Sequence, residues 1–150
     1  MKILVVYGSN SGSNFHAAQM VADILRGKHT VKLISAGEVG MNDVLSHRHI
    51  VMGSCSWKVE GEEGSPHEDI LNIMHAMDGK KYPSKHFALF GCGDSRYTYF
   101  CGAVDHMQAF VTQIGAQEIL PPLKVDGLYF DLYNATAKIE KWAYQLLGKL

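Results

Sequence analysis

The feature that most constrains this fold is a regular alternation of short apolar runs with helical patterns. The runs stand at residues 2–7, 30–34, 49–52 and 86–90, and a fifth, at 118–125, is interrupted by Pro121-Pro122. Nearly continuous apolar runs are typical of strands that are covered on both faces. Strands that alternate with helices form parallel sheets through right-handed crossovers. The sequence therefore predicts an α/β fold with a doubly wound parallel sheet.

Apolar residues at helical spacing occupy the gaps between these runs. They predict helices over 15–27, 67–77, 104–114 and 132–147, and a short helical turn at 44–45. Segment 56–66 contains three glutamates and two glycines and is predicted as a long polar loop. The chain has no internal repeat and no linker, and 150 residues is the usual length of one domain. We therefore expect residues 1–150 to form a single domain.

Composition argues against several classes of function. Lys and Arg total 14 and Asp and Glu total 15, so the net charge of −1 gives no support to a nucleic-acid or polybasic membrane partner. No apolar run approaches the roughly 20 residues that span a bilayer, and the first residues do not resemble a secretory signal. The three cysteines form no CxxC pair, which favours a reducing cytoplasm over a disulfide framework. The pair His47 and His49 has no partner at zinc-site spacing, so we expect no metal site.

Three loops should meet at one edge of the predicted sheet. In doubly wound sheets, ligands bind beyond the carboxyl ends of the strands. Here those ends carry the segments 8–14, 53–66 and 91–102. We expect them to form one ligand site.

The first of these loops is rich in small hydrogen-bonding residues and precedes a helix. A helix start presents free N–H groups and a positive partial charge, which suits a phosphate. Ser and Asn also cap helices, but one cap needs only one such residue. The P-loop, GxGxxG and GxSxG motifs are absent, and Arg96 follows Cys92 by only four positions, which does not fit the Cys-x5-Arg loop of a cysteine phosphatase. The predicted phosphate-binding residues are Ser9, Asn10, Ser11, Gly12, Ser13 and Asn14.

The second and third loops carry aromatic residues. Trp57 follows the third strand, and Tyr97, Tyr99 and Phe100 follow the fourth. Rings on two facing loops could sandwich a flat heterocycle, or they could cap the rim of the core. A flat ring and a phosphate in one site would indicate a mononucleotide, and flavin mononucleotide (FMN) is the obvious candidate.

At these residues the chain resembles the short-chain flavodoxins of the sulfate-reducer type. The resemblance is carried by GCGDSRYTYFCGAVD at 91–105, by PLKVDG at 122–127 and by the helix around Trp142. It implies a flavodoxin-like, five-stranded sheet in the order 2-1-3-4-5. It also implies a monomeric, low-potential one-electron carrier whose non-covalently bound FMN cycles through semiquinone and hydroquinone states. Such a carrier is not itself an enzyme, and redox enzymes would dock at its exposed flavin edge.

The resemblance also assigns roles to individual residues. Trp57 would cover the inner face of the flavin and Tyr97 would stack on its outer face. The pyrimidine edge would be hydrogen-bonded, mainly through backbone groups, by Cys92, Gly93, Asp94 and Cys101. Cys55 and Ser56 would lie beside the ribityl chain and the phosphate loop, and Ser54 is implied as a further cofactor-binding residue.

Lys58 departs from the family, in which Gly or Asn commonly follows the inner aromatic residue. The peptide at this position would flip to accept a hydrogen bond from the flavin, and positive φ costs Lys about 1 kcal/mol more than Gly. We therefore expect weaker semiquinone stabilisation than in a member with Gly. Two other functions stay open from the sequence: an FMN-dependent quinone reductase, and an interaction module with weakened FMN binding.

Overall fold

The structure is a computed structural model that describes residues 1–9, 12–59, 62–96 and 100–150. Its strands and helices alternate along most of the chain, as the apolar pattern predicts. The elements are β1 (Lys2–Gly8), α1 (Ser13–Leu25), β2 (Thr30–Ser35), α2 (Met41–Ser46), β3 (His49–Ser54), β4 (Ser56–Val59), β5 (Glu62–Pro66), α3 (Glu68–Met77), β6 (His86–Gly93), α4 (Gly102–Gln113), β7 (Gln117–Glu118), β8 (Leu123–Asp126) and α5 (Leu132–Lys149).

The main sheet is parallel, with strand order β2-β1-β3-β6 and with both β7 and β8 paired to β6. β7 and β8 together occupy the fifth position, because Pro121 and Pro122 interrupt the strand and neither can donate a backbone N–H. The predicted fold and the strand order 2-1-3-4-5 are therefore confirmed.

Two apolar layers cover the sheet because successive side chains of a strand point to opposite faces. Ile3 and Val5 of β1 pack in one layer with residues of α1 and α5. Leu4 and Val6 pack in the other layer with residues of α3 and α4. Within the described part of the chain, no helix combines the length and the apolar character needed to cross a bilayer.

The prediction of a long polar loop over 56–66 is wrong. β4 and β5 form an antiparallel hairpin in which Ser56 pairs with Pro66 and Trp57 with Ser65. A β-carbon added to Gly102, the first residue of α4, would lie 2.8 Å from the carbonyl oxygen of Gly64, so the hairpin packs directly on α4. Because the two strands pair with each other, their backbone N–H and C=O groups find hydrogen-bond partners within the hairpin.

Lys85, which lies directly before β6, is a buried lysine. Its side chain is buried, at 5% exposure. Its ammonium group donates hydrogen bonds to the carbonyl oxygens of Val44, Leu45 and His47, at 2.9, 2.8 and 2.6 Å. These carbonyls end α2, where a cation is favoured by the helix dipole.

A pair of histidines lies at the amino ends of β3 and β6, at the opposite edge from the three loops. His49 and His86 are register partners, and their rings stack with centroids 5.3 Å apart. Burial is the main cause that lowers the pKa of His49. The positive groups of His86 and Arg48, and then of the N-terminus and His29, lower it further.

This histidine pair should make the stability of the protein depend on pH. The folded-state pKa of His49 lies below the value of about 6.5 expected in the unfolded chain, so the unfolded chain binds the proton first as the pH falls. We expect this contribution to be present above about pH 7 and lost progressively toward pH 5. Urea unfolding across this range should show a shallower pH dependence for His49→Gln than for the wild type. His75→Gln, at an exposed position of α3, is the control, and parallel wild-type and His49→Gln curves would contradict the prediction.

Candidate functional site

The carboxyl ends of β1, β3 and β6 meet at one edge of the sheet. Gly8 pairs with Ser54, and Gly53 pairs with both Tyr7 and Phe90. The three predicted loops therefore converge, but two are shorter than expected. β3 continues to Ser54 and β6 to Gly93, so these positions are held in the sheet. Trp57 and Lys58 lie in the hairpin strand β4.

The start of α1 has the features of an anion-binding site. Gly12 is its N-cap, with φ of 88°, and no side chain caps the helix. No acidic residue lies in the first turn, so nothing there opposes a bound anion. The backbone N–H of Gly12 donates to Ser9 Oγ at 2.9 Å, which fixes the loop before the helix. The positive end of the helix dipole therefore lies close to the hydroxyl of Ser9.

Asn14 lies at this helix start, but its side-chain oxygen is engaged within the protein. The residue is 1% exposed, and its Oδ1 accepts a hydrogen bond from the backbone N–H of Cys92 at 3.1 Å. The Cys92 thiol lies 3.7 Å from the carbonyl oxygen of Ser13. The start of α1 and the end of β6 are thus joined through this bond of Asn14.

Ser54 and Ser56 also use their hydroxyls to hold segments together. Ser54 Oγ accepts a hydrogen bond from the backbone N–H of His67 at 2.8 Å, just before α3. Ser56 Oγ accepts one from the backbone N–H of Ala103 at 2.9 Å, in the first turn of α4. The Cys55 N–H donates to the Gly8 carbonyl oxygen at 3.1 Å. These three residues fix the chain between β3 and the hairpin at the edge of the site.

The two cysteines of the third loop are packed residues. Cys92 belongs to one core layer and Cys101 to the other, so the sheet separates their side chains. Burial raises the pKa of both thiols to about 12, which keeps them protonated and unreactive. Cys101 has φ of 50°, and a β-carbon on Gly93 would lie 3.0 Å from its sulfur. The backbone here is therefore closely packed, which supports recognition through main-chain groups.

Two carboxylates stabilise the turn that follows β6. Asp94 Oδ2 accepts a 2.5 Å hydrogen bond from Arg96, and the hydrogen bonds from Arg96 lower the pKa of Asp94 to about 2. Asp126, at the end of β8, accepts hydrogen bonds from the N–H and the hydroxyl of Ser95 at 2.8 and 2.5 Å. These bonds lower the pKa of Asp126 as well. The turn therefore carries two carboxylates that stay charged at neutral pH.

Several predicted site residues lie outside the part of the chain that the structure describes. They are Asn10, Ser11, Tyr97 and Tyr99, together with the side chains of Trp57 and Lys58. Their roles stay predictions. Phe100 is described, and it packs partly buried against one core layer, as a ring that caps the rim of the core would do.

Sequence reasoning missed the turn between β8 and α5. The Gly127 N–H donates to the Gly93 carbonyl oxygen at 2.9 Å, and the Arg96 guanidinium lies 4.7 Å from the centroid of the Phe130 ring. A β-carbon on Gly12 would lie 3.2 Å from the hydroxyl oxygen of Tyr129. One feature of the sequence could have indicated this turn. A run of large apolar residues follows Asp126-Gly127 directly, at a position where polar turn residues and helix caps are usual.

Among the residues that the structure describes, no group of three or more His, Cys, Asp or Glu side chains could hold a metal ion. His47 and His49 lie at the opposite edge of the sheet from this site, before and at the start of β3.

Comparison with known proteins identifies the family. The flavodoxin family model matches residues 5–138. The chain is 35% identical over 150 residues to a flavodoxin of Nitratidesulfovibrio vulgaris, covering 99% of this chain and 98% of that one. It is 37% identical over 127 residues to a flavodoxin of Maridesulfovibrio salexigens, covering 84% and 86% of the two chains. Oxidised flavodoxin 1 from Bacillus cereus has the same fold, with a TM-score of 0.87 at 24% identity over 100% of this chain and 99% of that one. The match to the family model over most of the chain, together with these relatives, shows that the chain belongs to the flavodoxin family.

Proposed function

We propose that this chain binds FMN at the converging loops and serves as a low-potential one-electron carrier, with no substrate of its own. The observation that carries the proposal is the uncapped start of α1, tied to the end of β6 through Asn14 and Cys92. This bond joins the helix start that would bind the phosphate to the strand end that would contact the ring. Membership of the flavodoxin family supports the same conclusion.

The described residues fit the phosphate end of FMN. Ser9 and Ser13 are partly exposed beside the helix start, and no cationic side chain occurs between Gly8 and Asn14. Neutral hydroxyls and helix amides would therefore hold the phosphate through dipoles. This donor set suits a phosphate monoester at the end of a ligand that is anchored elsewhere by its ring.

The described residues also fit the ring end. Gly91 and Gly93 have no room for a side chain, because an added β-carbon would lie 2.7 Å from Val104 Cγ2 and 3.0 Å from Cys101 Sγ. The end of β6 is thus closely packed against Val104 and Cys101, and in this proposal backbone groups around Cys92 to Asp94 would hydrogen-bond the pyrimidine. In this proposal Trp57 and Tyr97 cover the two faces of the ring.

Bound FMN supplies a ring that can gain and lose electrons one at a time, while the protein sets the energy of each step. Asp126 would provide negative charge near the ring, because its carboxylate is held by the neutral N–H and hydroxyl of Ser95. The charge of Asp94 is balanced by its ion pair with Arg96. Negative charge added to the ring is disfavoured beside the Asp126 carboxylate, which lowers the reduction potential.

The proposal extends to partners and location. We infer that redox enzymes dock at the exposed ring edge and that the carrier acts as a monomer. The three cysteines, which all lie in the described part of the chain, form no disulfide with one another, and this suits a reducing cytoplasm.

Titration of the apoprotein with FMN tests the proposed function. We expect one FMN to bind per chain, with quenching of flavin fluorescence by the aromatic residues. Riboflavin, which lacks the phosphate, should bind at least about tenfold more weakly, since tenfold corresponds to about 1.4 kcal/mol, within the range of one hydrogen bond to a charged group. Equal affinities for the two ligands, or no quenching by either, would count against the proposal.

A further inference from the structure

A second concave surface lies outside the candidate site, along the outer edge of the sheet. It is a groove of about 710 Å³ between residues 120–123, which join β7 to β8, and residues 138–149 of α5. We call it the α5 groove. Every residue that lines it is described, and none belongs to the three loops that are proposed to bind FMN. The proposed function therefore leaves this groove without a role.

The strand-side wall of the α5 groove is apolar and is fixed to the helix. Pro121 is exposed and Pro122 is half-buried, and neither has a backbone N–H to offer a ligand. The Pro121 carbonyl oxygen already accepts a hydrogen bond from the indole N–H of Trp142 at 3.0 Å. The ammonium group of Lys138 donates to the Lys124 carbonyl oxygen at 2.8 Å. These two bonds hold the walls together, so the groove is preformed and must recognise a ligand mainly through side chains.

The helix-side wall is positively charged. Lys141, Gln145 and Lys149 are spaced four residues apart, so they lie on one face of α5. All three are exposed, and no acidic side chain lines the groove. Within the described part of the chain, neither Lys141 nor Lys149 forms an ion pair. Two unpaired cations that face an apolar wall favour a ligand with both carboxylates and apolar groups.

The length of the α5 groove suits an extended peptide. Between Lys138 and Lys149 the helix advances about 17 Å at 1.5 Å per residue, which equals about five residues of extended chain. Successive side chains of an extended chain point in opposite directions. A segment in which acidic and apolar residues alternate would therefore present one set to each wall. A flat bilayer would meet only the rims of the groove, so these observations favour a peptide over a lipid surface.

We propose that the α5 groove is a docking site for a short segment of a partner protein in which acidic and apolar residues alternate. The carboxylates of this segment pair with Lys141 and Lys149, and its apolar side chains lie against Pro121 and Pro122. The groove shares no residue with the loops at the carboxyl ends of the strands. A partner held here leaves those loops accessible, and the inference does not depend on FMN binding.

Titration of the full chain with a short acidic peptide, followed by NMR, tests the inference. The probe is a blocked peptide of five residues in which glutamate alternates with leucine, and the control peptide has lysine in place of glutamate. We expect the acidic peptide to shift the indole N–H signal of Trp142 and the amide signals of Gly148 and Lys149 in a saturable way. The lysine peptide should leave them unchanged. Raising the NaCl concentration from about 0.05 M to about 0.5 M should weaken binding, because salt screens exposed charges.

Matched lysine variants locate the binding. The double variant Lys141→Gln, Lys149→Gln should raise the dissociation constant of the acidic peptide about fivefold, the loss expected of two exposed ion pairs. The double variant Lys28→Gln, Lys80→Gln removes the same charge from exposed positions outside the groove and should bind as the wild type does. Equal melting temperatures of the three proteins exclude misfolding as the cause of any loss.

Three results would overturn the inference. The first is that the acidic peptide shifts none of the three signals. The second is that the two double variants bind the acidic peptide equally well. The third is co-sedimentation with phosphatidylglycerol vesicles that is lost in the variant Lys141→Gln, Lys149→Gln, which would assign these lysines to a lipid surface instead of a peptide.

Discussion

Replacement of Gly53 with alanine is expected to destabilise the protein by about 3 kcal/mol, at the upper end of the usual cost of overpacking a core. A β-carbon at this position would lie 2.0 Å from Cζ of Phe90, the residue that pairs with Gly53 across β3 and β6. Phe90 cannot move aside easily, because it is fully buried and its ring packs edge-on against Trp142 at 6.3 Å. The strand ends would have to separate at the edge of the sheet that carries the proposed site.

Urea unfolding of Gly53→Ala against the wild type measures this effect, and FMN titration shows whether the site is disturbed as well. Gly148→Ala is the control, because Gly148 lies in α5 with nothing within 4 Å of an added β-carbon. This control should be neutral or slightly stabilising, as alanine is the better helix former. Wild-type stability in Gly53→Ala would mean that Phe90 does not lie over Gly53 as described.

The second large effect is expected at Lys85. Lys85→Met keeps a long apolar stem but removes the donor that bonds to three carbonyl oxygens at the end of α2. We expect a loss of about 3 kcal/mol, since these bonds involve a charged donor and at least the Val44 carbonyl is left buried without it. Helix α2 has only six residues, so loss of this contact should also loosen the segment before β3.

Lys81→Met provides the comparison for Lys85→Met. Lys81 is exposed, and its ammonium group donates to one carbonyl oxygen, that of Gln113. Its replacement should change the free energy of unfolding by no more than about 0.5 kcal/mol, as is usual at surface positions. Equal effects of the two substitutions in urea unfolding would show that burial of Lys85 does not contribute to stability.

The parallel sheet was predictable from the sequence because strands that are buried on both faces are apolar at nearly every position. The interruption at Pro121-Pro122 was predictable for a similar reason, since proline removes a backbone donor. The hairpin at β4 and β5 was not predictable, because its strands are short and polar and its pairing depends on contact with α4. Apolar periodicity reports which residues are buried, and it does not report which polar groups bond to each other.

The same limit applies within the site. The residue types at Ser54, Ser56 and Asn14 indicated hydrogen bonding, but the sequence could not show that their side chains bond to His67, Ala103 and Cys92. These partners are up to 78 residues away along the chain. The burial of Lys85 was not predictable for the same reason, because its carbonyl partners belong to a helix that precedes it by about 40 residues.

The most direct test of the electron-carrier function is anaerobic stepwise reduction of the FMN-loaded protein, followed by its visible spectrum and its potential. We expect two separate one-electron steps, with the second at a lower potential than that of free FMN because the Asp126 carboxylate disfavours added negative charge. A single two-electron step at the potential of free FMN would contradict the electron-carrier function.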